Sequence, residues 1–139
     1  MSGNKTFTII KPLAVQKGFI GPILNKINEA GFRITAMKFI KLTQESASDF
    51  YAEHMGKPFY EPLINFMSSA PVVVAILEKE NAVEEYRKLI GSTDPAKAAV
   101  GTIRNLYGTT LQQNAVHGSD SDTNAERECN YFFSCIERF

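Results

Sequence analysis

One segment near the C-terminal end, residues 114–120 with the sequence NAVHGSD, combines residue types that can do chemistry. The chain contains only two histidines, and one of them, His117, lies in this segment. The apolar pair before it predicts the end of a buried strand, Gly118 permits a sharp turn, and Ser119 and Asp120 are helix-starting residues. We therefore expect the imidazole at a strand-to-helix junction, where a neutral ring can act as a nucleophile near pH 7.

A nucleophilic histidine needs an electrophile, and several cationic side chains indicate a phosphate. Lys11 ends the first predicted strand, Arg87 lies on a predicted helix, and Arg104 lies in an irregular stretch near Thr93 and Thr102. Arginine matches phosphate oxygens with a two-pronged geometry that lysine lacks. The sequence contains neither a G-x-x-x-x-G-K-[ST] nor a G-x-G-x-x-G motif, so P-loop, protein-kinase and Rossmann sites lack support.

The composition limits the class of protein. The 139 residues suit one compact domain, 1–139, and 44% apolar residues with 11% aromatics argue against disorder. Equal numbers of basic and acidic residues, 15 each, argue against a nucleic-acid partner. We find no apolar run of membrane-spanning length and no signal peptide, and Cys129 and Cys135 form no CxxC motif. We therefore expect buried free thiols and a cytoplasmic protein without a membrane partner.

The elements that would position these residues alternate along the chain. Apolar patterns predict strands at residues 6–11 (ended by Pro12), 33–42 (with a possible bulge near Lys38), 71–78 and a short one into His117. Helical spacing and caps predict helices at residues 20–27 (closed by Gly31), 43–55, 61–69, 81–90 and 122–134, the last with Ala125, Cys129, Phe132 and Ile136 on its inner face. Residues 92–113 show little periodicity, which favours a functional loop.

The order β-α-β-α-α-β-α-β-α predicts an α+β fold. We expect a ferredoxin-like β-α-β-β-α-β core with a four-stranded antiparallel sheet and additional helices.

Several motifs together resemble the nucleoside diphosphate kinase family, and the resemblance covers residues 5–133. The Asn-x-x-His-Gly-Ser-Asp segment is its most specific part. The other matching motifs are TFTIIKP at residues 6–12 followed by Val15-Gln16, Tyr51-x-x-His54, Lys57-Pro58-Phe59-Tyr60, Pro71-Val72-Val73, Asp94-Pro95-Ala96 and Gly101-Thr102-Ile103-Arg104.

The resemblance implies a phosphotransferase that works by a ping-pong mechanism. A nucleoside triphosphate would give its γ-phosphoryl group to His117, and a nucleoside diphosphate would remove it. Glu128 matches the carboxylate that orients the imidazole, and Ser119 belongs to the same network. The side chains that match the phosphate-holding residues, with Mg²⁺ bridging the phosphates as cofactor, are Lys11, Arg87, Thr93 and Arg104.

The resemblance also implies a nucleoside site. Phe59 matches the ring on which the base stacks, and Leu111 matches an apolar side of the base slot. Asn114, with Lys11, matches the group that binds the sugar hydroxyl, and Tyr51 matches a tyrosine beside the lysine and the histidine. Because stacking barely distinguishes bases, we expect ribo- and deoxyribonucleotides with purine or pyrimidine bases as substrates. His54 receives no catalytic role and is interpreted as a structural histidine.

Two features bear on where this sequence stands relative to the family: a departure from its usual motif and the length of the C-terminus. Leu13-Ala14 follows Lys11-Pro12 where the family usually has Asp or Asn, which can bond its own backbone at a turn. The short C-terminus resembles bacterial members. The family forms homo-oligomers, either tetramers or hexamers, and Met37, Phe39 and Ile40 on the second strand are weak support for such contacts here.

Two other classes of protein stay open at this point. One is a nucleotide-binding relative without catalysis, although every matched charged residue is present. The other is a multi-histidine phosphoramidate hydrolase or a zinc site, which would need clustered histidines or cysteines.

Overall fold

The chain is described from residue 3 to residue 139 by a computed structural model, and its centre is a four-stranded antiparallel sheet. The strand order is β2-β3-β1-β4. The strands are β1 (Lys5–Ile10), β2 (Arg33–Ile40), β3 (Val72–Glu78) and β4 (Val116–Gly118). This confirms the predicted α+β fold with its ferredoxin-like core.

Helices cover both faces of this sheet. They are α1 (Pro12–Gln16), α2 (Ile20–Glu29), α3 (Gln44–Phe50), α4 (Tyr60–Met67), α5 (Ala82–Ile90), α6 (Ile103–Tyr107) and α7 (Asp122–Phe132). Three short 3-10 helices span Ala52–His54, Pro95–Lys97 and Cys135–Glu137. None of the helices between residues 3 and 139 is both long and apolar enough to cross a bilayer.

The alternation of side chains along β1 and β3 gives the protein two cores. Phe7, Ile9 and Val74 point to the face covered by α3, α4 and α7. Ile10 and Val73 point to the opposite face, which α2 and α5 cover. Strands covered on both faces carry apolar residues at successive positions, as the sequence of β3 predicts.

The structure corrects the predicted elements near the N-terminus. Residues 12–16 form the helix α1 and not a turn, because proline is favoured at the first helical position. Lys11 therefore lies just after β1, as the residue that precedes α1. The irregularity in β2 falls between Ile34 and Ala36, not near Lys38. The predicted helix to residue 55 ends at Phe50, and a 3-10 helix follows it.

The C-terminal predictions also need correction. Helix α7 ends at Phe132, so Ile136 is not on its inner face and is exposed. The Arg138 guanidinium donates hydrogen bonds to the carbonyls of Cys129 and Phe133 where the helix ends, and the Cys129 carbonyl also accepts the Phe133 N–H. Cys129 is buried as expected, but Cys135 is exposed. Both thiols are free.

Gly91 provides a test of how tightly the backbone packs against Thr102, which lies in the segment 92–113. Its φ is +87°, and an added Cβ would lie 2.6 Å from Thr102 Oγ1. Gly18 has a similar φ of +79° but nothing within 4 Å of an added Cβ. We expect Gly18→Ala to lower the free energy of unfolding by about 1 kcal/mol from backbone strain alone, and Gly91→Ala to lower it by about 3 kcal/mol. Urea denaturation measures both, and equal losses would contradict the packing argument.

Candidate active site

His117 lies within the edge strand β4, where its backbone pairs with Ile9 of β1. Ser121 then caps α7 by accepting a hydrogen bond from the Asn124 backbone N–H at 3.1 Å. Gly118 does not have a positive φ. A glycine is needed there because a Cβ would lie only 2.9 Å from Ile90 Cδ1. The histidine therefore stands on a strand that is pressed against α5 and leads into α7.

The residue two positions before the histidine has a strained backbone. Ala115 has a φ of 75°, and the Val116 N–H donates to the Asn114 carbonyl at 3.0 Å, which closes a tight γ-turn. Such a conformation in a residue other than glycine persists only where the surroundings fix it. The Lys11 N–H contributes by donating to the Ala115 carbonyl at 2.9 Å. This turn brings Lys11 and Asn114 next to each other.

A hydrogen-bond network fixes the His117 ring. Its Nε2 lies 3.0 Å from Glu128 Oε1, and the Ser119 hydroxyl donates to the same oxygen at 2.6 Å. The Phe7 backbone N–H donates in turn to Ser119 Oγ at 3.1 Å. A carboxylate only accepts, so Nε2 carries the proton and Nδ1 keeps its lone pair. The ring is thereby held in one tautomer.

Two buried cations lie near the ring. Lys11 Nζ donates to Asn114 Oδ1 at 2.7 Å, and the Asn114 amide donates to the carbonyls of Thr93 and Leu111. The Arg104 guanidinium donates to the carbonyls of Gly91 and Val116, and its Nε has no partner. Within residues 3–139, neither cation forms a salt bridge with a carboxylate.

Burial lowers the pKa of both the Lys11 amine and the Arg104 guanidinium. Burial, with a contribution from Arg104, lowers the pKa of Lys11 to about 7. Burial also lowers the pKa of Arg104 to about 10, and the nearby Arg87 acts in the same direction. Cations that are buried without counterions have a strong preference for an anionic ligand.

Aromatic rings extend from His117 toward solvent. The Tyr51 ring meets His117 edge-on, with 6.2 Å between ring centroids, and its buried hydroxyl has no hydrogen-bond partner. Burial and the charge of Glu128 raise the pKa of Tyr51 above its usual value, so the hydroxyl stays protonated. Phe59 is 39% exposed and Leu111 is 58% exposed. Both are large apolar side chains accessible to a ligand.

The cations and the rings line one cavity of about 400 Å³. Its wall contains most of the residues singled out from the sequence, namely Lys11, Tyr51, Phe59, Thr93, Arg104, Leu111, Asn114 and His117. Glu128 and Ser119 are buried behind the histidine. Arg87 is exposed on α5 and is not part of this wall, although its charge influences Arg104 and Asp120.

Sequence reasoning did not assign His54, Leu63 or Gln112 to the cavity, but all of them line it. The position of Leu63, one helical turn after Phe59, was a usable signal because residues that far apart share a helix face. For Gln112 the local sequence carries no periodicity. Residues 3–139 contain no cluster of three or more His, Cys, Asp or Glu side chains that could hold a metal ion.

Comparisons with known proteins agree with this fold. The family model for nucleoside diphosphate kinase matches residues 4–137. A nucleoside diphosphate kinase from Flavobacterium psychrophilum is 55% identical over 139 residues, which is 100% of both chains. The crystal structure of the Aquifex aeolicus nucleoside diphosphate kinase has a TM-score of 0.96 and 42% identity, covering 98% of this chain and 99% of the other.

A second solved structure is that of a halophilic nucleoside diphosphate kinase from Halobacterium salinarum in complex with CDP. It has a TM-score of 0.94 and 38% identity, and the match covers 99% of this chain and 92% of the other. A fold with a partly exposed, carboxylate-oriented histidine beside two buried cations defines a class of anion-binding α+β protein. Within that class, the chain belongs to the nucleoside diphosphate kinase family.

The lowered pKa of Lys11 predicts a specific pH dependence of stability. The folded protein binds this proton with a pKa of about 7 and the unfolded chain with a value of 10.5, so the unfolded state holds more protons between these pH values. The contribution of Lys11 to the free energy of unfolding therefore rises as pH increases from about 7 toward 10.5, and is constant below that window.

We expect the difference in unfolding free energy between wild type and Lys11→Met to follow this curve in denaturation measured from pH 6 to pH 10. The exposed Lys97, replaced by Met, is the matched control and should give a flat difference. A flat curve for Lys11→Met as well would contradict the uncompensated burial of this amine.

Proposed function

We propose that the chain is one nucleoside diphosphate kinase domain that passes the γ-phosphoryl group of a nucleoside triphosphate, through His117, to a nucleoside diphosphate. The observation that carries the proposal is the joint position of the Glu128-oriented imidazole and the unpaired cations Lys11 and Arg104 on one cavity. Membership of the family supports the same reaction. The free thiols of both cysteines support a reducing compartment, which we propose is the cytoplasm.

The first half-reaction begins with the lone pair on His117 Nδ1. This nitrogen attacks the γ-phosphorus, an N–P bond forms, and the bond from phosphorus to the β-γ bridging oxygen breaks. The electron pair leaves with that oxygen on the nucleoside diphosphate. The ring keeps its Nε2 proton, and Glu128 stabilises the positive charge that develops on the imidazole. In the second half-reaction, a terminal oxygen of another diphosphate attacks the same phosphorus and releases Nδ1.

Charge neutralisation would come from Lys11 and Arg104, with Thr93 as a further phosphate contact. Arg87, outside the cavity wall, would contribute through its charge. The described cavity wall contains no Asp or Glu, so Mg²⁺ would enter with the nucleotide, bound to its phosphate oxygens. When bound there, it neutralises part of the charge that spreads over the transferring group. The unpartnered Tyr51 hydroxyl is available to donate to the nucleotide.

The outer part of the cavity suits a nucleoside. Phe59 offers a stacking face, Leu111 an apolar opposite wall, and Asn114 with Lys11 can bind a sugar hydroxyl. A stacking platform accepts purine and pyrimidine bases, and ribo- and deoxyribonucleotides share the other contacts. The relative from Halobacterium salinarum was solved in complex with CDP, which supports a pyrimidine nucleotide as one ligand.

A labelling experiment tests the reaction. Wild type incubated with Mg²⁺ and γ-³²P-ATP should gain an acid-labile, alkali-stable label and release ADP, and His117→Ala should gain none. Glu128→Gln should slow labelling on the order of a hundredfold, because the amide lacks the charge that stabilises the ring. Lys97→Met is the control and should be labelled at the wild-type rate.

Two outcomes would contradict the proposal. Label on His117→Ala would move the phosphoryl acceptor elsewhere, and intact ATP in a wild-type single-turnover reaction would favour a binding protein without catalysis. Parallel lines in double-reciprocal plots at varied donor and acceptor concentrations would support the covalent intermediate.

We also propose that the chain forms a homo-oligomer, a tetramer or a hexamer, through the edge of β2. An apolar groove there is lined by Ile20, Leu24, Met37 and Phe39, and Phe39 is 64% exposed. Exposed apolar surface of this kind commonly marks a protein–protein contact. Light scattering should give a mass of four or six chains by the family's pattern, and Phe39→Glu should lower it. Met55→Glu, at a similarly exposed apolar residue outside the groove, is the control and should leave the mass unchanged, and a monomer mass for wild type would refute the proposal.

A further inference from the structure

His54 lies in the wall of the nucleotide cavity, although the proposed reaction gives it no role. It ends the 3-10 helix Ala52–His54, which begins directly after Tyr51. Its side chain is 30% exposed. The residue therefore lies at the boundary between the protein interior and the space that a nucleoside would fill.

The His54 ring completes a continuous row of rings. Ring centroids lie 6.2 Å apart between His117 and Tyr51, and 6.2 Å apart between Tyr51 and His54. The next step, from His54 to Phe59, is 5.3 Å with the rings inclined at 61°. Edge-to-face contacts at this separation are favourable and restrict the orientation of both rings. The row connects the proposed phosphoryl acceptor to the proposed base platform.

Stability of the folded protein does not account for an imidazole at this position. Its Nδ1 is buried without a hydrogen-bond partner, and its Nε2 lies 3.9 Å from Glu53 Oε1, beyond hydrogen-bonding distance. A buried polar atom left unpaired is unfavourable, so hydrogen bonding within the chain does not hold this ring in place. The interactions that the structure shows for the ring are its contacts with Tyr51 and Phe59.

Phe59 is the contact that needs the ring. Its backbone is fixed because it is the N-cap residue of α4 and its carbonyl accepts the Leu63 N–H at 3.0 Å. Its side chain is 39% exposed, and Lys57 Nζ lies 5.8 Å from the ring centroid on a flexible side chain. His54 is a rigid group in edge contact with it. His54 is therefore the aromatic neighbour that restricts the orientation of the phenyl ring.

We propose that His54 is a positioning residue for the nucleoside, whose ring holds Phe59 in its stacking plane and forms one side of the base slot. The proposal rests on the proposed function, because it assumes that a nucleotide fills this cavity. It separates the cavity into two parts with different requirements. The phosphate part depends on Lys11 and Arg104, whereas the base part depends on the contact between His54 and Phe59.

Calorimetric titration can measure the two parts separately. The ligands are ADP with Mg²⁺, which fills both parts, and inorganic pyrophosphate with Mg²⁺, which fills only the phosphate part. His54→Ala should weaken ADP binding about fivefold and leave pyrophosphate binding unchanged. His54→Phe, which restores an aromatic edge, should return ADP binding to within twofold of wild type.

Two further variants complete the design. Arg104→Met should weaken both ligands, because it removes a phosphate contact. Met55→Ala is the matched control on the neighbouring residue, which is exposed and outside the cavity wall, and it should change neither affinity. Thermal unfolding of each variant shows that it is folded before titration.

Each remaining outcome overturns the inference. Unchanged ADP binding by His54→Ala would show that the contact between His54 and Phe59 does not contribute to nucleoside binding. Equal weakening of ADP and pyrophosphate would indicate a general structural role, and failure of His54→Phe to rescue ADP binding would exclude the aromatic contact. Failure of wild type to bind ADP or to become phosphorylated would instead refute the proposed function itself, so the two failures are distinguishable.

Discussion

The hydrogen bond between His117 and Glu128 is the interaction on which the rest of the site depends. It joins the edge strand β4 to helix α7, and through Ser119 it also reaches the backbone of Phe7 in β1. Because the carboxylate fixes the proton on Nε2, the other ring nitrogen keeps the lone pair that the proposed reaction uses. The sheet and α7 thus act as a frame that determines which atom of one side chain can react.

The second constraint is the positive charge that the fold buries without a counterion. Lys11 and Arg104 are both less than a tenth exposed, and the surrounding carbonyl and amide groups orient them but do not neutralise them. This arrangement lowers the free energy of unfolding, and a bound anion would offset the cost by neutralising the buried charges. Part of the affinity that we propose for phosphate would therefore originate in the folding free energy of the chain itself.

Much of this could be predicted from the sequence, and the limits have physical causes. The sequence predicts β3 and α5 well, because a strand buried on both faces is a continuous apolar run and a helix buried on one face has apolar residues at helical spacing. The sequence does not predict the helix at residues 12–16, because five residues are too few to show periodicity and Pro12 is also typical of the end of a strand. The bulge was placed near Lys38, whereas the register shifts at Ile34, because a break in alternation propagates along the strand.

The site shows the same division between local and long-range information. The segment around His117 predicts a candidate reacting group from local sequence alone, because several of its neighbours in sequence are also its neighbours in space. His54 was assigned a structural role because nothing in its local sequence reveals that Phe59 turns back against it. The exposure of Arg87 and the packing role of Gly118 likewise depend on α5, which is remote in sequence from the histidine segment.

The strained turn at Ala115 explains how residues from separate segments reach one cavity. Its carbonyl holds the Lys11 backbone, and the neighbouring Asn114 amide binds the carbonyls of Thr93 and Leu111 as well as the Lys11 amine. A conformation of this type costs on the order of 1–3 kcal/mol, which these hydrogen bonds must offset. These hydrogen bonds lie within the chain itself, so the turn that carries the strain also fixes the position of the lysine and of the loop with Leu111. Groups held in place by the fold need less ordering to bind a ligand, and the proposed nucleotide site would gain affinity in this way.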